Sequence, residues 1–307
     1  MEQEQNKTEY TIPYVRMLRN VIPVLPVLGI VIALALSSGL VMSFDEAIGH
    51  FEYGAGMFYL AVGGIAVAAV VSAVLGRAAR TKFSLAAFPD SPPLSACASY
   101  FTAIMAAVTS AAFFYDIYVL RTGPAGTLEL AAAALMPAIT VSMILGTHEK
   151  TRQSVLRIIF ALLAALAVNL NMFACYFDFT LPLNSPVRNM ITIAQAGVMI
   201  FLLSEVRLAL SPDTRSTSPF YVFSAAFAAS AVLGLSFGLC VYGFVSPHAA
   251  QMDISIYRFA CYFGVSLLAL SRLLALNTAA GTYVAPPDPE EEDESPEEKS
   301  HPSSRRK

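Results

Sequence analysis

The chain has 307 residues and a formal net charge of −3, with 56% hydrophobic and 13% charged residues. Its mean hydropathy is +0.61, and its charged fraction is about half that of an ordinary soluble domain. These values exclude water as the protein's main solvent, and no nucleic-acid partner is expected.

Residues 1–20 are polar and mixed in charge, with Arg16 and Arg19 at their end. They read as a cytoplasmic segment. The apolar run from Val21 is too long for the h-region of a cleavable signal, so the first span is expected to be retained.

A hydrocarbon core about 30 Å thick is crossed by roughly 20 apolar residues in a helix. Eight stretches satisfy this: Val21 to Met42, Met57 to Gly76, Ala96 to Leu120, Thr127 to Gly146, Val155 to Phe177, Val187 to Ser204, Pro219 to Gly243 and Ile256 to Leu276. The fold class predicted is an all-α polytopic membrane helix bundle. Its eight transmembrane helices form four hairpins within a domain over 21–276. Ser185-Pro186 and Ser218-Pro219 each place an N-cap before a first-turn proline. Pro23 and Pro26 should bend the entry of the first span, and Pro137 should kink the fourth.

Basic residues set the orientation, because they are held on the cytoplasmic side during insertion. Arg77, Arg80 and Lys82 follow the second span, Lys150, Arg152 and Arg157 the fourth, Arg207 and Arg215 the sixth, and Arg272, Arg305, Arg306 and Lys307 the eighth. The opposite loops carry only Arg121, Arg188 and Arg258, each alone. Both termini are therefore expected in the cytoplasm. The connection from Arg77 to Ser95 holds Pro89, Pro92 and Pro93 and reads as irregular.

The outward helices share a pattern. Phe44-Asp45, Tyr115-Asp116, Phe177-Asp178 and Tyr242-Gly243 stand where each leaves the membrane, and Ser38, Thr109, Asn171 and Ser236 lie two turns before on the same face. One reading is a duplicated hairpin lining a shared cavity. The other is the ordinary enrichment of aromatic residues at interfaces and of small polar residues in membrane helices.

Charged residues stay near helix ends: Asp116, Glu129, Asp178, Arg188 and Arg258 toward the outer face, Arg157, Glu205 and Arg272 toward the inner. Proton relays and ion-coupled carriers use carboxylates or histidines at membrane depth, and this chain places none there. There is no HExxH motif or pair of deep aspartates to activate water, so no enzymatic activity is expected. His50 lies near Asp45, Glu46 and Glu52 in the first outer loop, which reads as solvated polar sequence. No metal and no cofactor is expected.

The four cysteines lack metal-type spacing. Cys175, Cys240 and Cys261 are predicted at similar depth, where buried free thiols are expected. Gly234 and Gly238 form a GxxxG pattern on the seventh span, and Gly64 with Ala68 a small-residue face on the second. Both suit close helix packing within the chain.

Asn169, Asn171 and Gln195 cannot face lipid without cost, so they should meet a neighbouring helix or a wet cavity. Asn171, Cys175 and Asp178 share one face of the fifth span, which Gln195 can meet from the sixth. The substrate-binding set read from these residues is Asn171, Asp178, Gln195, Asp116 and Thr109. Its ligand would be a small polar or zwitterionic solute in an outward-facing pocket. The competing reading of the same groups is hydrogen bonding that fixes helix packing.

Residues 277–307 change character. Prolines, eight acidic residues and four basic ones give a charge near −4, too polar to offset the entropy of ordering, so the segment reads as a disordered cytoplasmic tail. Two functions remain open. One is a permease-like or solute-binding protein of the membrane; the other is a scaffold or sensor whose acidic tail docks a basic cytoplasmic protein. A lipid-acting enzyme would need Asp45, Asp116 and Asp178 to converge. The lack of an outer domain and of a usable glycosylation sequon suits a bacterial plasma membrane.

Overall fold

The computed structural model describes residues 20–45, 50–51, 56–78, 93–120, 126–148, 151, 154–177, 186–210, 217–247 and 256–280. Among these, eight helices are long and apolar enough to cross a membrane. They are α1 (Val24–Ser43), α2 (Gly56–Ala78), α3 (Pro93–Tyr115, continuing as a π turn over Asp116–Leu120) and α4 (Thr127–Leu135 and Pro137–Thr147). Then follow α5 (Val155–Tyr176), α6 (Pro186–Leu210), α7 (Thr217–Val245, with a π turn over Ala228–Val232) and α8 (Ile256–Ala280). All eight predicted spans are present. The differences lie at the ends: α6 runs six residues past Ser204, and α8 continues four residues into the segment read as tail.

The surface is inside out relative to a soluble protein. Val27, Ile30, Leu34 and Val41 of α1 and Tyr59, Val62 and Val70 of α2 are exposed, while Ser72, Thr102, Asn171, Gln195 and Ser266 are buried. An apolar exterior on this scale requires an apolar solvent, and the protein is a polytopic membrane protein. Buried hydroxyls avoid isolation by donating to their own helices: Ser72 to the Ala68 carbonyl, Ser110 to Ala106, Ser266 to Tyr262.

Helices α7 and α8 form the centre. Of the membrane-length window, 83% of α7 and 72% of α8 is buried, against 28% of α2. α1 and α2 pack on α7; α3 packs on α8; α4 lies against α3 and α5; α6 sits between α5 and α7. α7 approaches α1 closely because glycines stand at their contact. Gly234 faces α1 so closely that a Cβ there would stand 2.6 Å from the Gly29 carbonyl oxygen and 2.7 Å from Ile32 Cβ. Gly238 meets Ala33 and Gly64 meets Ile32 in the same way, so both small-residue faces serve contacts within the chain.

Two features of the predicted elements have local causes. Pro137 has no N–H to continue the ladder of α4, so the helix divides there, although Met136 stays helical at φ −53°, ψ −38° and its amide still bonds Ala132 at 3.0 Å. Between α1 and α2, Phe44–Asp45 pairs antiparallel with His50–Phe51, a short ladder in the loop read from the sequence as solvated polar residues. Phe51 then packs beneath Phe44 and Tyr242, at ring separations of 5.5 and 6.2 Å.

Candidate functional site

Two polar clusters lie inside the bundle, at opposite ends of α5. The first contains most of the predicted binding residues. Asn171, near the end of α5 and 2% exposed, donates from Nδ2 to the Tyr262 hydroxyl of α8 at 3.0 Å. One turn later on α5, Cys175 Sγ accepts from Gln195 Nε2 of α6 at 3.7 Å and from Arg258 Nη1 of α8 at 3.5 Å. The Arg258 guanidinium carbon sits 4.8 Å from the centre of the Phe113 ring of α3, and that of Arg188 sits 5.4 Å from the Tyr176 ring. Both arrangements are cation–π contacts, strengthened where water is excluded. Gln195 is fully buried, and its Oε1 has no hydrogen-bond partner among the described residues.

The i, i+4 spacing on α5 and the position of Gln195 on α6 thus bring Asn171, Cys175 and Gln195 together around Tyr262. Thr109 belongs to the same wall: its hydroxyl lies 2.7 Å from the Tyr257 carbonyl and 2.8 Å from its own Met105 carbonyl, one turn before Phe113. Asp116 is apart from it, exposed on the π turn that ends α3. Asp178 lies outside the described residues, as do 1–19, the prolines at 89 and 92, and 281–307. Of the repeated polar positions, Thr109 and Asn171 both reach α8, whereas Ser236 bonds carbonyls of its own helix, Val232 and Leu233.

Arg188 and Arg258, read from the sequence as charges at the outer helix ends, stand within the first turns of α6 and α8 and are buried rather than solvated. Their planar guanidiniums are weakly hydrated and stack on aromatic rings, which lowers the cost of drawing them into the bundle. Tyr262 was not legible as a site residue either. Its place in an apolar run of α8 carries no polar signal beyond its own hydroxyl.

The second cluster is at the other end of α5. Ser154 caps that helix, accepting from the Arg157 amide at 3.3 Å, and so sets Arg157 in the first turn. Arg157 Nη2 donates to Glu205 Oε2 of α6 at 2.9 Å; the Tyr221 hydroxyl of α7 donates to Oε1 at 2.6 Å; and Arg272 Nε of α8 stands 3.6 Å from Oε1. Gly146 makes room for it, since a Cβ there would be 3.1 Å from Arg157 Nε. A partly enclosed cleft opens beside these groups, lined among others by Ser99, Ser142, Arg157, Glu205 and Arg272. Its free space of ≈ 10 Å³ holds about one water.

The four cysteines are free thiols, with Cys175 and Cys261 buried. Among the described residues no group of three or more His, Cys, Asp or Glu side chains is placed to hold a metal. No family model, no curated protein and no solved structure matches the chain.

Proposed function

We propose that this protein is a permease-like, small-solute-binding protein of the plasma membrane. In this reading its helices form four hairpins with both termini in the cytoplasm, and its site is the cluster of Asn171, Gln195 and Tyr262 near the outer leaflet. The observation that carries it is Gln195 Oε1, fully buried and without a hydrogen-bond partner among the described residues. Leaving such an acceptor unmade costs roughly 1–3 kcal/mol, which a solute donor placed there recovers. Amide, phenol and thiol groups together suit a small polar or zwitterionic molecule. In this reading Thr109 also belongs to the site, and the sequence adds Asp178 and Asp116 as candidates.

The test is a thermal-stability screen of the purified full chain against small amines, zwitterions and polyols. A ligand bound only by the folded state at 100 times its Kd adds about 2.7 kcal/mol. A hit that disappears in Gln195→Ala and weakens in Asn171→Ala and Asp178→Asn supports the reading. A hit indifferent to all three places the site elsewhere, and a null screen with those variants folded and functional in cells assigns the cluster to packing.

A further inference from the structure

The two polar clusters are carried by the same three helices. About 15 Å of rise separates Gln195 from Glu205 on α6 and Tyr262 from Arg272 on α8, and about 21 Å separates Asn171 from Arg157 on α5. The cleft points from one cluster toward the other. Its apolar lining residues Ala161, Leu202 and Leu268 stand one turn beyond Arg157, Glu205 and Arg272 respectively, each on the side of the Asn171 cluster. With room for about one water, the cleft is shut to a solute in this conformation.

The cleft also follows a thin line in the packing. α5 and α6 pack along one another, and α8 packs along α3, whereas α8 meets α6 only sparsely. Arg272 is what reaches across. Its Nε stands 3.6 Å from Glu205 Oε1, longer than the bonds of 2.9 and 2.6 Å that join Glu205 to Arg157 of α5 and Tyr221 of α7. Opening the cleft to water returns hydration to this buried guanidinium, which offsets much of the ion pair given up. The contact is therefore suited to break and re-form.

We infer that Arg272, with the Arg157–Glu205–Tyr221 network on which it docks, is the closure of the solute path at the end opposite the Asn171 cluster. The inference rests on the solute-binding reading of that cluster. Parting Arg272 from Glu205 moves α8, with α3, away from α5 and α6 and widens the cleft. Because the same three helices frame both clusters, widening one end draws them together at the other, the alternation that moves a solute across a membrane.

The test places a reporter, Ser142→Cys, at a buried residue that lines the cleft, in the full chain held in lipid nanodiscs with both faces open to solvent. The probe is trimethylammonium-ethyl methanethiosulfonate. Its labelling rates at position 142 and at native Cys175 are read by peptide mass spectrometry, with folding checked by circular dichroism. Arg272→Gln leaves the bonds of Glu205 to Arg157 and Tyr221 in place and removes the tie to α8. It should raise the rate at position 142 many-fold and lower the rate at Cys175. Arg272→Lys, a shorter cation, should shift both rates in the same directions by less, and it decides the matter where Arg272→Gln fails to fold. Unchanged labelling at position 142 overturns the inference, and so does a rise there without a fall at Cys175, which is simple loosening of the bundle. Neither rate involves a solute. A failed closure leaves the Asn171 cluster to the stability screen, whereas an empty screen beside reciprocal labelling overturns the solute and not the movement.

Discussion

Arg157 and Glu205, 48 residues apart in the chain, meet at 2.9 Å inside the bundle, with the Tyr221 hydroxyl closing on the other carboxylate oxygen. This contact ties α5, α6 and α7 at one point. Removing one partner of a buried pair costs about 3–5 kcal/mol, because the other charge remains without its counterpart. Arg157→Ala and Glu205→Ala should each lower unfolding free energy by about that amount in mixed-micelle denaturation. The Arg157→Ala/Glu205→Ala double variant should lose clearly less than the sum of the two single losses. Additive losses would mean that the pair contributes nothing as a pair.

The approach of α7 to α1 gives a second expectation. Gly234→Ala must displace either the Gly29 backbone or Ile32, and overpacking of this kind costs about 1–3 kcal/mol. A methyl group added at Gly63 on α2 would meet nothing within 4 Å, so Gly63→Ala should be neutral or stabilising by up to about 1 kcal/mol. Equal effects of the two substitutions would contradict the packing described.

The hydrogen bond between Asn171 and Tyr262 should be modest. Interhelical bonds in membranes average about 0.6 kcal/mol and reach about 1.7. A double-mutant cycle with Asn171→Ala and Tyr262→Phe should give a coupling in that range, read by reversible unfolding. Zero coupling would show that the two side chains do not hold each other in the membrane.

Orientation can be checked separately. In a cysteine-free background, single cysteines at Arg80 and Pro302 should resist membrane-impermeant thiol reagents in intact cells, and one at His248 should react. Reaction at Arg80 or Pro302 from outside would reverse the proposed topology and move the solute site to the opposite leaflet.

The spans were legible because a helix crossing a bilayer needs a long apolar run, and length alone identifies it. Their partners were not. Nothing in the apolar run of α1 announces that Gly29 seats Gly234, since small residues are frequent in all these helices. Asn171 and Gln195 could be placed on facing surfaces because amides are costly against lipid, and the structure brings both to Cys175 and Tyr262. The Arg157–Glu205–Arg272 cluster was harder to see. Each charge falls near a helix end, where a solvated or headgroup position is the ordinary outcome. The signal lay in Glu205, a carboxylate within an apolar stretch of α6, which needed a cation from another helix.

The seating of α7 on α1 also bears on how the bundle is made. α1 enters the bilayer long before its main neighbour has been synthesised, so it has to persist alone among lipids. Two of its three hydroxyls are equipped for that interval: Ser43 donates to Gly39 and Ser37 to Leu34, each within α1 itself. A chain cut short before α7 should therefore insert yet stay unassembled, its early helices waiting for a centre that arrives late.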